Sequence, residues 1–243
     1  MFANSWESDW FQIQYNFVTA ELDEKTKDYL LKGELLGGQK NTRVVNGIYT
    51  NHNNVHHLYH LLNYEKSTGR KLCDVSTVVE WGGGYGNLAR ILRLYAGPKT
   101  CVLIDAPATL AIQWLFLSCV FGPEAVNILN EDNSEIKQGC FNLISFRDID
   151  LIRDINFALF IATWSLNEST LDAQEYVVNK LKFFAAPQML IGLYRGPGGS
   201  YASPVDEPNI IAAGAAARGA LQEEITYFPD YSEGVHRHFY IMQ

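Results

Sequence analysis

Glycines at 82, 84 and 86, set between a run suited to a strand and a run suited to a helix, constrain this chain more than any other feature. Thr77, Val78 and Val79 are β-branched residues that fit a buried strand. Asn87 to Leu94 mixes apolar and basic residues in the pattern of a helix packed on one face. Between them runs Glu80-Trp-Gly-Gly-Gly-Tyr-Gly86, where glycine can take positive φ and let a ligand approach the bare backbone. The segment reads as strand, glycine turn and helix, with something flat and sizeable lying on the turn.

Two ligand classes compete for such a turn. From Gly84, the run G-Y-G-N-L-A satisfies the dinucleotide fingerprint, with Asp105 about 20 residues further on. In a dinucleotide site, however, the first glycine follows the strand directly, so that a helix N-terminus meets a pyrophosphate. Here the acidic Glu80 closes the strand first, and an anion there opposes a pyrophosphate. The same anion suits a ligand carrying an amino group and a sulfonium, and S-adenosylmethionine is such a ligand. On this reading Glu80, Gly82, Gly84 and Gly86 meet the cofactor. Asp105, closing the next strand, accepts hydrogen bonds from both ribose hydroxyls, with Ala106 beside it.

From Lys71 the sequence alternates strands and helices, the pattern of an α/β fold built on a mostly parallel sheet. Strands are expected at 77–80, 100–104, 157–163 and 188–194. The third is placed at CFNLISF, 140–146, in preference to the apolar run 125–129. A helix follows Pro107 to about Phe121, with Leu110, Trp114, Leu117 and Cys119 as its apolar residues. After an alanine-rich helix at 208–220, strands at 224–228 and 236–242 close the chain as a hairpin. Residues 1–70 read as a separate N-terminal helical cap, and 71–243 as the cofactor-binding domain. In the cap, Trp6, Trp10, Ile13, Phe17 and Val18 form a stripe expected to pack on that domain, Lys40 to Asn54 reads as loop, and Asn53 or Asn54 caps a helix running to Gly69.

Ligands of open α/β sheets gather beyond the carboxyl ends of the strands, which nominates further residues. Asp148, after the third strand, is a candidate for the adenine, though a helix N-cap explains it equally. Thr163 ends the fourth strand, and Asn167 and Glu168 follow it. Their alternative is helix capping, with Ser165 or Asn167 as the cap and Glu168 in the first turn. Tyr194 and Arg195, leading into a glycine-rich loop, are candidates for binding an acceptor. His56 and His60 lie four apart on one helix face, but without an HExxH pattern no metal is expected. The candidates for taking a proton are Glu168, His57, His60 and His238.

Net charge of -8 and a pI near 5.2 give no broad basic face, which excludes nucleic acid as the expected partner and favours a small acceptor. The four cysteines lack metal or redox spacing and read as reduced core residues of a cytoplasmic protein. The N-terminus lacks the pattern of a signal peptide, and no apolar run is long enough to span a bilayer. A homo-oligomer is compatible with these features but not specified by them.

At family level, residues 72–243 resemble the bacterial sugar O-methyltransferases. The resemblance rests on VVEWGGGYGNLARIL, VLIDAPATLAIQWLFLS and TWSLNE, in that order and spacing. It implies a class I methyltransferase, Rossmann-like fold with a terminal antiparallel hairpin, and methyl transfer from S-adenosylmethionine to a sugar hydroxyl. The acceptor it implies is a carbohydrate, either a nucleotide-linked sugar or a surface polysaccharide precursor. By position it marks Glu80, Gly82, Gly84 and Asp105 as cofactor contacts. Trp81 departs from the pattern, standing where a small aliphatic residue is common. The rivals are an NAD(P)-dependent oxidoreductase and a non-catalytic cofactor-binding domain.

Overall fold

The computed structural model describes residues 5–32, 42–97, 99–179, 181, 186–194, 210–226 and 235–241; residues 5–10, 194, 222–226 and 235–241 are described by backbone alone. The chain forms two compact units, Met1–Cys73 with Gly86–Pro98, and Asp74–Tyr85 with Lys99–Gln243.

The first unit contains helices α1 (Ser5–Glu21) and α2 (Glu24–Leu31), strands β1 (Thr42–Val45) and β2 (Ile48–Asn51), and helix α3 (His52–Thr68). Helix α4 (Asn87–Ala96) joins them after the glycine turn. Helix α1 buries Phe11, Gln14, Tyr15 and Val18, while Ile13 is 50% exposed. This face is offset from the stripe expected of the apolar residues, because a tyrosine and a glutamine take core positions. Gln14 is satisfied there by the His56 ring, 2.9 Å away on α3. Trp6 and Trp10 lie in α1, but their side chains are outside the described residues.

The stretch expected to be a loop forms a hairpin. Val45 pairs with Ile48 across a two-residue turn, Asn46-Gly47, with both residues at positive φ. Asn-Gly supplies that geometry at low cost, so the signal was present in the sequence. The cap of helix α3 lies two residues before Asn53 and three before Asn54. It is Asn51, whose side chain accepts from Asn54 N at 2.9 Å. Asn54 is buried instead, accepting from Arg90 Nη2 at 3.0 Å.

The second unit contains β3 (Thr77–Trp81), β4 (Thr100–Asp105), α5 (Pro107–Phe121), β5 (Val126–Leu129), β6 (Phe141–Ser145), β7 (Leu159–Thr163), α6 (Leu171–Asn179), β8 (Gln188–Tyr194), α7 (Ile210–Ala217), β9 (Leu221–Thr226) and β10 (Val235–Ile241). The strands make one sheet in the order β5-β6-β4-β3-β7-β8-β10-β9. From β5 to β8 all pairings are parallel, and β10 runs antiparallel to both its neighbours. A parallel sheet ending in an antiparallel hairpin is the class I methyltransferase fold.

Both runs that competed for the third strand are strands. CFNLISF supplies β6 beside β4, and the other run takes the sheet edge as β5. The central strands are buried along their length and read as continuous apolar runs. Val79, Val102, Ile144, Phe160 and Ile191 share a core with Val177 of α6 and Ile211 and Ala215 of α7. Helix α5 differs from expectation. It buries Gln113, Phe116 and Leu117, while Trp114 and Cys119 are exposed. A helix without a charged residue is apolar all round, so periodicity cannot choose its buried face.

Candidate functional site

In the sheet, the strands after β3 run first to one side, β4 and then β6, and afterwards to the other, β7 and then β8. That reversal places a topological switch point at the carboxyl ends of β3 and β7, the position at which open α/β sheets bind their ligands. The turn after β3 holds the glycines, and the turn after β7 holds Trp164 to Glu168.

These two turns are fitted to one another. Gly82 has φ 70°, and a Cβ there would lie 2.3 Å from Ser165 Cβ, so only glycine is accommodated. The Ser165 hydroxyl donates to the Trp81 carbonyl, and the Trp81 indole N–H points to Ser169 Oγ at 3.4 Å. Trp81 itself is buried, with its ring 4.8 Å from that of Phe146. Trp81 thus reaches both the turn after β7 and the segment after β6. Trp164 also adopts positive φ, 69°, an unusual conformation for a bulky residue. Its backbone N–H donates to Gly192 O at 2.8 Å.

Glu80 and Asp105 meet at the other side of the glycine turn. Each is almost fully buried, at 4% and 8% exposure. A Cβ on Gly83 would sit 3.2 Å from Glu80 Cδ and 3.4 Å from Gln113 Nε2, and Gln113 Nε2 in turn donates to Asp105 Oδ2 at 3.0 Å. Gly84 N donates to the same oxygen at 3.1 Å, and Ala106 N to Asp105 Oδ1 at 2.8 Å. The two carboxyl groups and the bare backbone therefore belong to a single locus.

Electrostatics follow from this crowding. Burial, and then the charge of Asp105, push Glu80 up to about 8, which leaves it mostly protonated at neutral pH. Burial also raises Asp105, opposed by hydrogen bonds from Ala106, Gly84, Thr109 and Gln113. A cation beside the pair would relieve both effects, whereas a pyrophosphate would add to the repulsion. The donor set fits a positively charged nucleoside.

No protein-family model matches the sequence, and no curated protein does. Among solved structures, the chain is similar to the methyltransferase domain of bacterial CtHen1, at 14% identity and TM-score 0.49, over 74% of this chain and 94% of that one. It is similar to the mitomycin 7-O-methyltransferase MmcR at 11% identity and TM-score 0.47, over 99% and 69%. An O-methyltransferase family 2 protein from Planctomyces limnophilus, in complex with apigenin, matches at 10% identity and TM-score 0.46, over 75% of this chain and 60% of that one. The chain thus spans less than two thirds of that last protein's length. The strand order, rather than these distant likenesses, carries the fold assignment.

Gly86 has φ 93° and is the N-cap of α4. Thr163 pairs with Gly192, and Gly192 with His238, so the backbone sets these three at one level of the sheet. Glu168 is exposed in the turn after β7, and Asn167 is buried. Neither Ser165 nor Asn167 caps the following helix: Thr170 does, accepting from Ala173 N at 3.4 Å with α6 starting at Leu171. Asp148 is partly buried in a 3-10 turn, Phe146–Ile152, whose N-cap is Ser145, so Asp148 is not the cap. Tyr194 ends β8 with only its backbone described, and Arg195 lies outside the described residues.

In the first unit, His57 is half-buried and its Nδ1 lies 3.0 Å from Asn87 Nδ2. Burial, with His52 and Arg90 nearby, drives it down to about 3. His60 has no exposed surface and bonds to His56 through the two Nε2 atoms at 2.9 Å. Sequence reasoning missed Gln113, Trp81 and Ser165 as parts of the locus. For Gln113 the only signal is its polarity, within a helix that is otherwise almost wholly apolar.

Proposed function

We propose that the chain is an S-adenosylmethionine-dependent O-methyltransferase acting on a sugar hydroxyl of a small carbohydrate. The observation that carries the cofactor reading is the pair of buried carboxyl groups, Glu80 and Asp105, set around a glycine turn at the switch point of a class I sheet. Glu80 faces the cationic amino acid end, Asp105 the ribose, and Gly82, Gly84 and Gly86 let the ligand lie on the backbone. Ala106, Asp148 and Thr163 line the adenosine side. When bound, the cofactor supplies a methyl group on a sulfonium as the electrophile.

Glu168 takes the acceptor's proton in this reading. It stands exposed beyond β7, whereas His60 is sealed and His57 is held too low to be an effective base at neutral pH. His238 is the second choice, at the level of Thr163 across the sheet. Asn167, Tyr194 and Arg195 are assigned to the acceptor. The sugar assignment rests on the sequence resemblance alone. The acidic charge is consistent with a cytoplasmic enzyme taking a small substrate, and a homo-oligomer is compatible with it.

The test is a thermal-shift comparison of S-adenosylhomocysteine with NAD, followed by mass spectrometry of nucleotide-sugar mixtures incubated with S-adenosylmethionine. Stabilisation by S-adenosylhomocysteine alone and a gain of about 14 mass units on one sugar are expected. Stabilisation by NAD alone would replace this reading with an oxidoreductase. Cofactor binding without turnover on any acceptor would point to a non-catalytic domain.

A further inference from the structure

Gln113 occupies a place where an apolar side chain would pack at less cost. It lies on the buried face of α5 with Phe116 and Leu117 and has no exposed surface. Its Nε2 donates to Asp105 Oδ2 at 3.0 Å, while its Oε1 finds no partner among the described residues. Turning the amide over would set that oxygen against the carboxylate, so the Asp105 bond fixes the side chain's orientation. A buried acceptor left unpaired is unfavourable, and the bond to Asp105 offsets that cost.

We propose that Gln113 is a positioning residue for nucleoside recognition: its amide nitrogen holds the Asp105 carboxylate in the orientation that meets a ribose diol. The inference rests on the cofactor reading above and adds to it a residue that acts through Asp105. Asp105 Oδ2 has two donors, Gln113 Nε2 and Gly84 N, and Oδ1 receives Ala106 N. Thr109 also bonds to this carboxyl group, so Gln113 is one of four groups that hold it. The Gln113 hydrogen bond pulls the Asp105 carboxyl down against the upward push of burial.

The experiment is calorimetric titration of the wild-type chain and of Gln113→Met with S-adenosylhomocysteine and with its 2′,3′-dideoxy analogue, across pH 5 to 9. For the variant, affinity for S-adenosylhomocysteine should fall about tenfold, with affinity for the dideoxy analogue within about twofold of wild type. The acid limb of the affinity profile should also move to higher pH in the variant. Equal losses on both ligands, or no loss on either, would overturn the role assigned to Gln113 while leaving the cofactor reading intact. Wild-type protein alone provides a second check: equal affinity for the two ligands would remove the ribose contact that Gln113 is said to serve. If wild type binds neither ligand, the cofactor reading itself fails, and this inference with it.

Discussion

Gly82 and Gly84 both have positive φ, yet the chain asks different things of them. A side chain at Gly82 meets Ser165, whereas one at Gly84 meets nothing within 4 Å. Gly84→Ala should therefore cost about 1 kcal/mol, the price of the left-handed conformation alone. Gly82→Ala adds overpacking and should cost about 3 kcal/mol or more, read as the difference in urea midpoint between the two variants. Glu80 offers a test in pH. Its folded value, about 8, lies above the ordinary 4.5, so the folded state holds a proton that the unfolded state releases. Stability from this group is full below about pH 4.5 and is lost as pH rises towards 8, by about 5 kcal/mol at most. Glu80→Gln should gain in melting temperature over wild type progressively from pH 5 to 8.5, while losing affinity for S-adenosylmethionine. A constant difference across that range would show that Glu80 is not buried beside Asp105.

At the scale of elements, the strands were legible because burial on both faces leaves long apolar runs with little else they can become. Helix faces were less so. In α1 and α5 the buried side includes Gln14 and Gln113, whose amide nitrogens find partners on distant elements, and no periodicity in apolar residues reveals such partners. Helix α5 also leaves Ile112, Trp114 and Leu115 exposed. Leu115→Lys should therefore change stability by less than about 0.5 kcal/mol, as expected of an exposed position. The start of α3 gives the contrasting case. Asn51→Ala removes a buried cap and should cost about 1 kcal/mol, measured by chemical denaturation.

For the whole molecule, the acidic balance and the switch point of the sheet act together. A chain of net charge -8 should show no binding to duplex DNA or RNA by fluorescence anisotropy at 0.15 M salt, and tight binding there would overturn the small-acceptor reading. The sequence by itself determined the alternation of strands and helices, the glycine turn after β3, and the acidic residues near the carboxyl ends of β3 and β4. Each of these is a local matter: backbone freedom, side-chain branching and the position of a charge are properties of neighbouring residues. Only the tertiary structure decided that Ser165 forbids a side chain at Gly82, that Thr170 and not Ser165 or Asn167 caps α6, and that Gln113 reaches Asp105. Such facts depend on which atoms arrive beside one another when the sheet closes, and a buried polar group declares its purpose only through the partner it meets there.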